Sequence, residues 1–235
     1  DDSGAALADG SITDEVMKTL EGTVAPGDIV VTNGPMLAIT AGGMAAIGRQ
    51  VAAASGTVSF EVTVTAPTWA DIDTLEVFAN AAPSTPVPDG MSTAIVPLGC
   101  WTSRALASLA ANDPCTLAAV APQAMTVQAV AVPGPGNARV LRATVTVTID
   151  VADIPRMTGA TGTDAWLVFR ARGAKAIFPL LQGDLVNDTT LPILVAGNQT
   201  QVDAVLAGGG VSAAAFAASV FVDFDGGGYR APFAP

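Results

Sequence analysis

The side chains able to do chemistry here are few, and one type is missing altogether. The 235 residues contain no histidine, so a Ser-His-Asp or Cys-His arrangement has no base, and a zinc site of ordinary type has no imidazole. Paired carboxylates remain. Asp71 with Asp73, and Asp223 with Asp225, are spaced i, i+2; on a strand this puts both groups on one face and raises one pKa by mutual repulsion. Acids at strand ends otherwise serve turns. The run Asp223-Phe-Asp225-Gly-Gly-Gly-Tyr-Arg230 also offers two hard oxygen ligands ahead of Gly-rich carbonyls, a set that calcium accepts. It lacks the downstream Glu of a twelve-residue calcium loop and has an arginine close by, so a calcium site and a solvated turn are both open readings.

Cys100 and Cys115 are the only cysteines. A bond between them would close a loop and contribute about 3 kcal/mol in the chain-entropy model, and it would place the chain in an oxidising compartment; two free buried thiols are the alternative. With no CxxC and no histidine, a metal is not expected at these sulfurs. Of the tryptophans, Trp166 falls inside a strand pattern and is expected in the core. Trp69 and Trp101 read as loop residues that could present a ring to a sugar. Gly208-Gly-Gly210 is not followed by Lys-Ser/Thr and is no phosphate loop. Asn187-Asp-Thr and Asn198-Gln-Thr fit the short N-glycosylation pattern. No catalytic residue and no cofactor other than calcium is expected.

These groups must be carried by a small-residue β scaffold. Half of the residues are apolar but only 5% are aromatic, so the core is built from many small side chains. The net charge is −11, with no basic stripe to neutralise phosphates, which argues against nucleic acid and anionic membrane as partners. No uninterrupted apolar run reaches the length of a membrane span. No signal-type start is seen at Asp1, so a mature or trimmed chain, or a piece of a longer one, is expected.

Residues 1–27 read as an acidic lead-in followed by a short helix, with Thr13 as N-cap, Val16, Met17 and Leu20 as its apolar stripe, and Gly22 as its stop. Residues 28–235 read as a single domain. Its organising stretch is 28–40, where two β-rich runs flank an Asn33-Gly34-Pro35 corner and are expected to pair with each other. The clearest strand is 57–65, with Val58, Phe60, Val62 and Val64 on one face. Further strands are expected at 73–80, 96–100, 116–120, 125–131, 139–149, 164–172, 177–181, 191–195 and 220–225. The second arm of the 125–149 hairpin turns Ala143, Val145, Val147 and Ile149 inward. Residues 83–89 are an extended loop, 104–110 a helical turn and 202–206 a single turn. Together these predict an all-β, immunoglobulin-like antiparallel β-sandwich with one short N-terminal helix and loop insertions, a closed barrel being the runner-up.

Several of these pieces, in order, resemble the C-terminal region of bacterial CehA/McbA-type metallohydrolases of the PHP superfamily. They are Asp28-Ile-Val-Val-Thr-Asn-Gly-Pro35, Ala66-Pro-Thr-Trp-Ala-Asp-Ile-Asp-Thr-Leu-Glu-Val-Phe78, Asp164-Ala-Trp-Leu-Val168 and Val222-Asp-Phe-Asp-Gly-Gly-Gly-Tyr229. The likeness spans about 7–230 in patches, most specifically at Thr-Asn-Gly-Pro and Asp-x-Asp-Gly. It implies a non-catalytic accessory domain beside an upstream metal-binding domain, in the periplasm, outside the cell or on its surface. The family's histidine ligands have no counterpart here, so no catalytic residue is carried over. Two other functions fit the sequence: a structural subunit of an extracellular assembly, paired with copies of itself, and a carbohydrate-binding module using Trp69 or Trp101.

Overall fold

In the computed structural model, residues 29–53, 55–80, 96–133, 138–155, 162–181, 189–207 and 210–232 are described. The strands are β1 (Val30–Thr32), β2 (Met36–Ala41), β3 (Met44–Ala45), β4 (Gln50–Ala52), β5 (Thr57–Pro67), β6 (Thr74–Ala79), β7 (Gly99–Thr102), β8 (Gln123–Ala124), β9 (Gln128–Ala131), β10 (Arg139–Asp150), β11 (Ala165–Leu181), β12 (Gly210–Ala217) and β13 (Val220–Asp223). They form two sheets. The smaller runs β3-β2-β5-β10-β9; the larger runs β1-β12-β11-β6-β7-β8, with β13 beside β11 and β4 beside β13. The chain is thus all-β and sandwich-like, as its strand patterns predict.

The smaller sheet follows the alternation in its sequence. β5 and β10 pair antiparallel over their whole length, with Val145 opposite Val62 and Val147 opposite Phe60, all four buried. Their outward residues meet as hydroxyl pairs, Ser59 with Thr148 at 3.0 Å and Thr63 with Thr144 at 3.2 Å. From the larger sheet, Leu75, Val77, Leu167, Phe169, Val220 and Val222 point into the same core. Phe60 meets Phe169 edge-on, with ring centroids 5.5 Å apart, which ties the two layers together.

The 33–35 corner does not join paired strands. β1 pairs with β12 and β2 with β5, so the corner hands the chain from one sheet to the other. Its local bonds explain this: Thr32 Oγ1 accepts the Gly34 N–H and donates to the Pro35 carbonyl. Asn33 donates to the Ser212 carbonyl and accepts the Ala214 N–H, pinning the corner to β12. Gly34 is needed for room, since a Cβ there would stand 2.9 Å from the Ala70 Cβ.

Other expectations shift. β7 begins at Gly99 and carries Trp101 inside it, and 116–120 is not a strand; Asp113 instead caps a helical turn at Pro114–Leu117 with Pro114 in its first turn. The 177–181 segment is the far end of β11, continuous past a register shift between Arg172 and Ala176. Residues 191–195 are helical, within Leu191–Ala196, because Pro192 fits the first turn of a helix and the Gly197 N–H closes onto the Ile193 carbonyl. The turn expected at 202–206 is the helix Gln199–Ala207. Asn198 Oδ1 takes the Gln201 N–H while Gln201 Oε1 takes the Asn198 N–H, a reciprocal cap. The sandwich is antiparallel-rich, not purely antiparallel: β4–β13 and β7–β8 run parallel. The expected N-terminal helix, the 83–89 loop and Asn187 lie outside the described residues. Among those described, no helix is long and apolar enough to cross a membrane.

Candidate functional site

Two places in the fold gather ionisable side chains. The first is the Gly-rich turn after β13, where Asp223 and Asp225 are joined by Asp164 at the start of β11; one oxygen of each lies within 4.8 Å of the others. Asp164 enters because Ala165 pairs with Val222. Its Oδ1 accepts the Phe224 N–H at 3.0 Å and its Oδ2 the Arg230 N–H at 2.7 Å. Asp223 accepts the N–H groups of Gly226 and Gly228, and Gln50 Nε2 at 3.3 Å. Asp225 accepts the Gly227 N–H at 2.7 Å. Burial pushes the Asp223 carboxyl up, but the Gly226 and Gly228 N–H groups outweigh it and hold it below the usual carboxylate range. Burial, with the Asp164 charge, raises the Tyr229 hydroxyl above its ordinary value. A calcium ion takes six to eight oxygens. Here the oxygens of Asp164 and Asp223 are already turned to the turn's own N–H donors, so the group's first action is to fold the Gly-rich segment back on β11.

The second place is the outer face of β6, β7 and β11. Cys100 in β7 is bonded to Cys115, with Cα atoms 5.2 Å apart, closing residues 103–114 into an arm. Inside that arm Arg104 makes a two-pronged ion pair with Asp113, at 2.5 and 3.3 Å. It also reaches Asp73 at 3.6 Å and the Thr74 and Thr102 hydroxyls. Burial raises the Asp113 carboxyl, but the Arg104 guanidinium and the Cys115 N–H together hold it below the usual range. The bond to Asp113 keeps Arg104 charged. Across the sheet, Glu76 stands opposite Arg170 on one side and Cys100 on the other. It is wholly buried, and its Oε2 takes Arg170 Nε at 2.6 Å and Arg172 Nε at 3.2 Å. Arg170 stacks on the Phe78 ring, 4.9 Å from its centroid. Glu76 Oε1 and Arg172 Nη2 are buried without a hydrogen-bond partner.

The structure separates the remaining candidates. Asp71 and Asp73 do not act as a pair, because the Asp73 carboxylate is taken by the Thr74 hydroxyl at 2.6 Å and by Arg104. Trp101 is buried and lines, with Val77, Leu98, Gln123 and Ile149, a cavity of about 20 Å³, room for about one water. Trp69 is exposed and lies against Gly34, so the two rings form no shared platform. Trp166 is half-buried on β11, where its neighbours Ala165 and Leu167 turn inward instead. Asn198, the one sequon asparagine described, has its side chain bound to the backbone as a helix cap.

Sequence reasoning missed Asp164 and the Glu76–Arg170–Arg172 group. Asp164 carries no local signal. The second group had one: a lone glutamate inside the apolar run Leu75-Glu-Val-Phe78, and arginines two apart in Phe169-Arg-Ala-Arg172, the pattern of cross-strand ion pairs. No known protein family, curated protein or solved structure matches the chain.

Proposed function

We propose that the chain is a non-catalytic β-sandwich module of an exported protein, acting by contact with another protein domain in an oxidising compartment. The observation that carries this reading is how its ionisable groups are used. The carboxylates of the Gly-rich turn hold backbone N–H groups, and those beside the arm hold arginines. The Cys100–Cys115 bond supports the compartment. The resemblance noted above would make the neighbour a PHP-type metallohydrolase domain in the periplasm or outside the cell. A second reading, a structural subunit of an extracellular assembly, draws on exposed Val31, Met36 and Met44 at and near the edge strands β1 and β3.

The test is an assay of the purified chain with manganese or zinc against phosphoesters. No turnover above the metal blank is expected; turnover abolished by a chelator overturns the proposal. Intact mass from the native source separates the two readings: a much longer parent supports the accessory module, and a free 23.4 kDa chain in regular multimers supports the subunit.

A further inference from the structure

The arm of residues 103–117 has two fastenings. One is the Cys100–Cys115 bond. The other is Arg104, which joins Asp113 on the arm to Asp73, Thr74 and Thr102 on the sheet. Backbone bonds add little: Ser103 N–H to the Asp73 carbonyl, and Ala119 and Val120 N–H groups to Pro97 and Leu98. Against these stands a penalty. Glu76, the cross-strand neighbour of Cys100, is buried with Oε1 unpaired, and Arg172 Nη2 is buried and unpaired as well. Both groups lie close to the arm, since the Glu76 charge acts on Arg104 and the Arg172 charge on Asp113, and water reaching them would satisfy both.

We propose that the Cys100–Cys115 bond is a redox latch: a dithiol that reduces it releases the arm and opens the Glu76–Arg172 pair to water. In this step the dithiol becomes a disulfide, and its two electrons and two protons pass to Cys100 and Cys115, leaving two thiols. Both sulfurs are buried, so attack occurs during brief openings of the arm. Arg104 Nη2 lies 3.9 Å from Cys115 Sγ, where its charge favours that sulfur as the leaving thiolate. Around the Arg104–Asp113 pair beside this sulfur stand the charges of Asp73, just before β6, of Glu76 on β6 and of Arg172 on β11. In the compartment proposed above the latch is closed, whereas a chain not yet oxidised carries its arm open. The inference goes beyond the accessory-module reading and stands if that reading fails.

Hydrogen exchange of the whole chain, with and without dithiothreitol, tests it, and thiol alkylation confirms reduction. Exchange across 103–117 is expected to rise about tenfold or more on reduction while β5 and β10 keep their protection. Cys115→Ser should show the same local pattern without reductant. Arg104→Gln should loosen the reduced arm further and leave the oxidised arm nearly unchanged. Fully reduced protein with an unchanged arm overturns the proposal, and so does an equal rise in β5 and β10, which would make the bond a staple for the whole fold. If Cys115→Ser fails to fold, reduced wild-type protein still decides.

Discussion

The Gly-rich turn and the arm each gather three carboxylates, and they neutralise them by different means. In the turn, Asp164, Asp223 and Asp225 spend their oxygens on backbone N–H groups, so acid side chains fix the path of the chain. Beside the arm, Asp73, Glu76 and Asp113 face Arg104, Arg170 and Arg172, so side chains fix one another. The first arrangement leaves both oxygens of Asp164 and of Asp223 bonded. The second leaves Glu76 Oε1 orphaned. Backbone donors can be placed wherever a Gly-rich turn bends, whereas guanidinium groups on neighbouring strands are held to the pleat, and Arg170 and Arg172 both spend their Nε on the same carboxylate oxygen.

The sharpest way to break this contrast is Glu76→Ala. It leaves two guanidinium groups without their buried partner, a change that costs 3–5 kcal/mol at fully buried pairs. Arg170 and Arg172 are 28% and 25% exposed, so about 3 kcal/mol is expected here, after discounting for solvent screening. Urea unfolding measures it. Replacing Glu76, Arg170 and Arg172 together by apolar residues of similar volume should restore most of the loss. A single-variant loss under about 1 kcal/mol would mean that water already serves this carboxylate.

Asp164→Asn should cost less, about 1–2 kcal/mol, because the amide oxygen still accepts one backbone N–H while the amide nitrogen, a donor, cannot accept the other. It has a second readout. Tyr229 is the chain's only tyrosine, tilted at 57° against Phe221 with ring centroids 4.9 Å apart, and its hydroxyl is raised by burial and then by the Asp164 charge. Removing the charge should lower its titration seen by ultraviolet absorbance, while burial, the larger cause, keeps it above the ordinary value. An unmoved titration would separate Tyr229 from the acid group and weaken the account of the turn.

Which of these features the sequence disclosed follows from how the two sheets are buried. β5 and β10 have one wet face, so their alternation named Val58, Phe60, Val62 and Val64 on one strand and Ala143, Val145, Val147 and Ile149 on the other, missing only Ala66 where β5 runs past the expected end. β6 is buried on both faces from Thr74 to Ala79, and alternation says nothing about a strand with no wet face. The Asp223-Phe-Asp225 turn was visible because its glycines are adjacent in sequence. Its third acid was not, since Asp164 reaches it only through the Ala165–Val222 register. The Asn33-Gly34-Pro35 corner was visible as a turn but not as a crossing between sheets, because that depends on Asn33 finding β12 across almost the whole chain. The cap Asn198-x-x-Gln201 was written locally and overlooked, because residues 191–207 lack clean helical periodicity.

The smallest effect, and the one that joins both groups, is the response to acid. Asp113 and Asp223 each titrate below the ordinary carboxylate value in the fold. A lowered folded pKa contributes stability that is present above the unfolded value, near 3.9, and is lost as pH falls through the folded one. Stability should therefore be level from neutral pH down to about 5 and decline below about 4. Asp113→Asn should remove part of that slope and loosen only the arm, whereas Asp223→Asn should remove another part and loosen only the Gly-rich turn. With Arg104 about 30% exposed, the Asp113 share is modest, about 1 kcal/mol after solvent screening. If Asp113→Asn left the acid slope unchanged, the arm would be held by its disulfide alone, and the two carboxylate groups would differ in purpose as well as in partner.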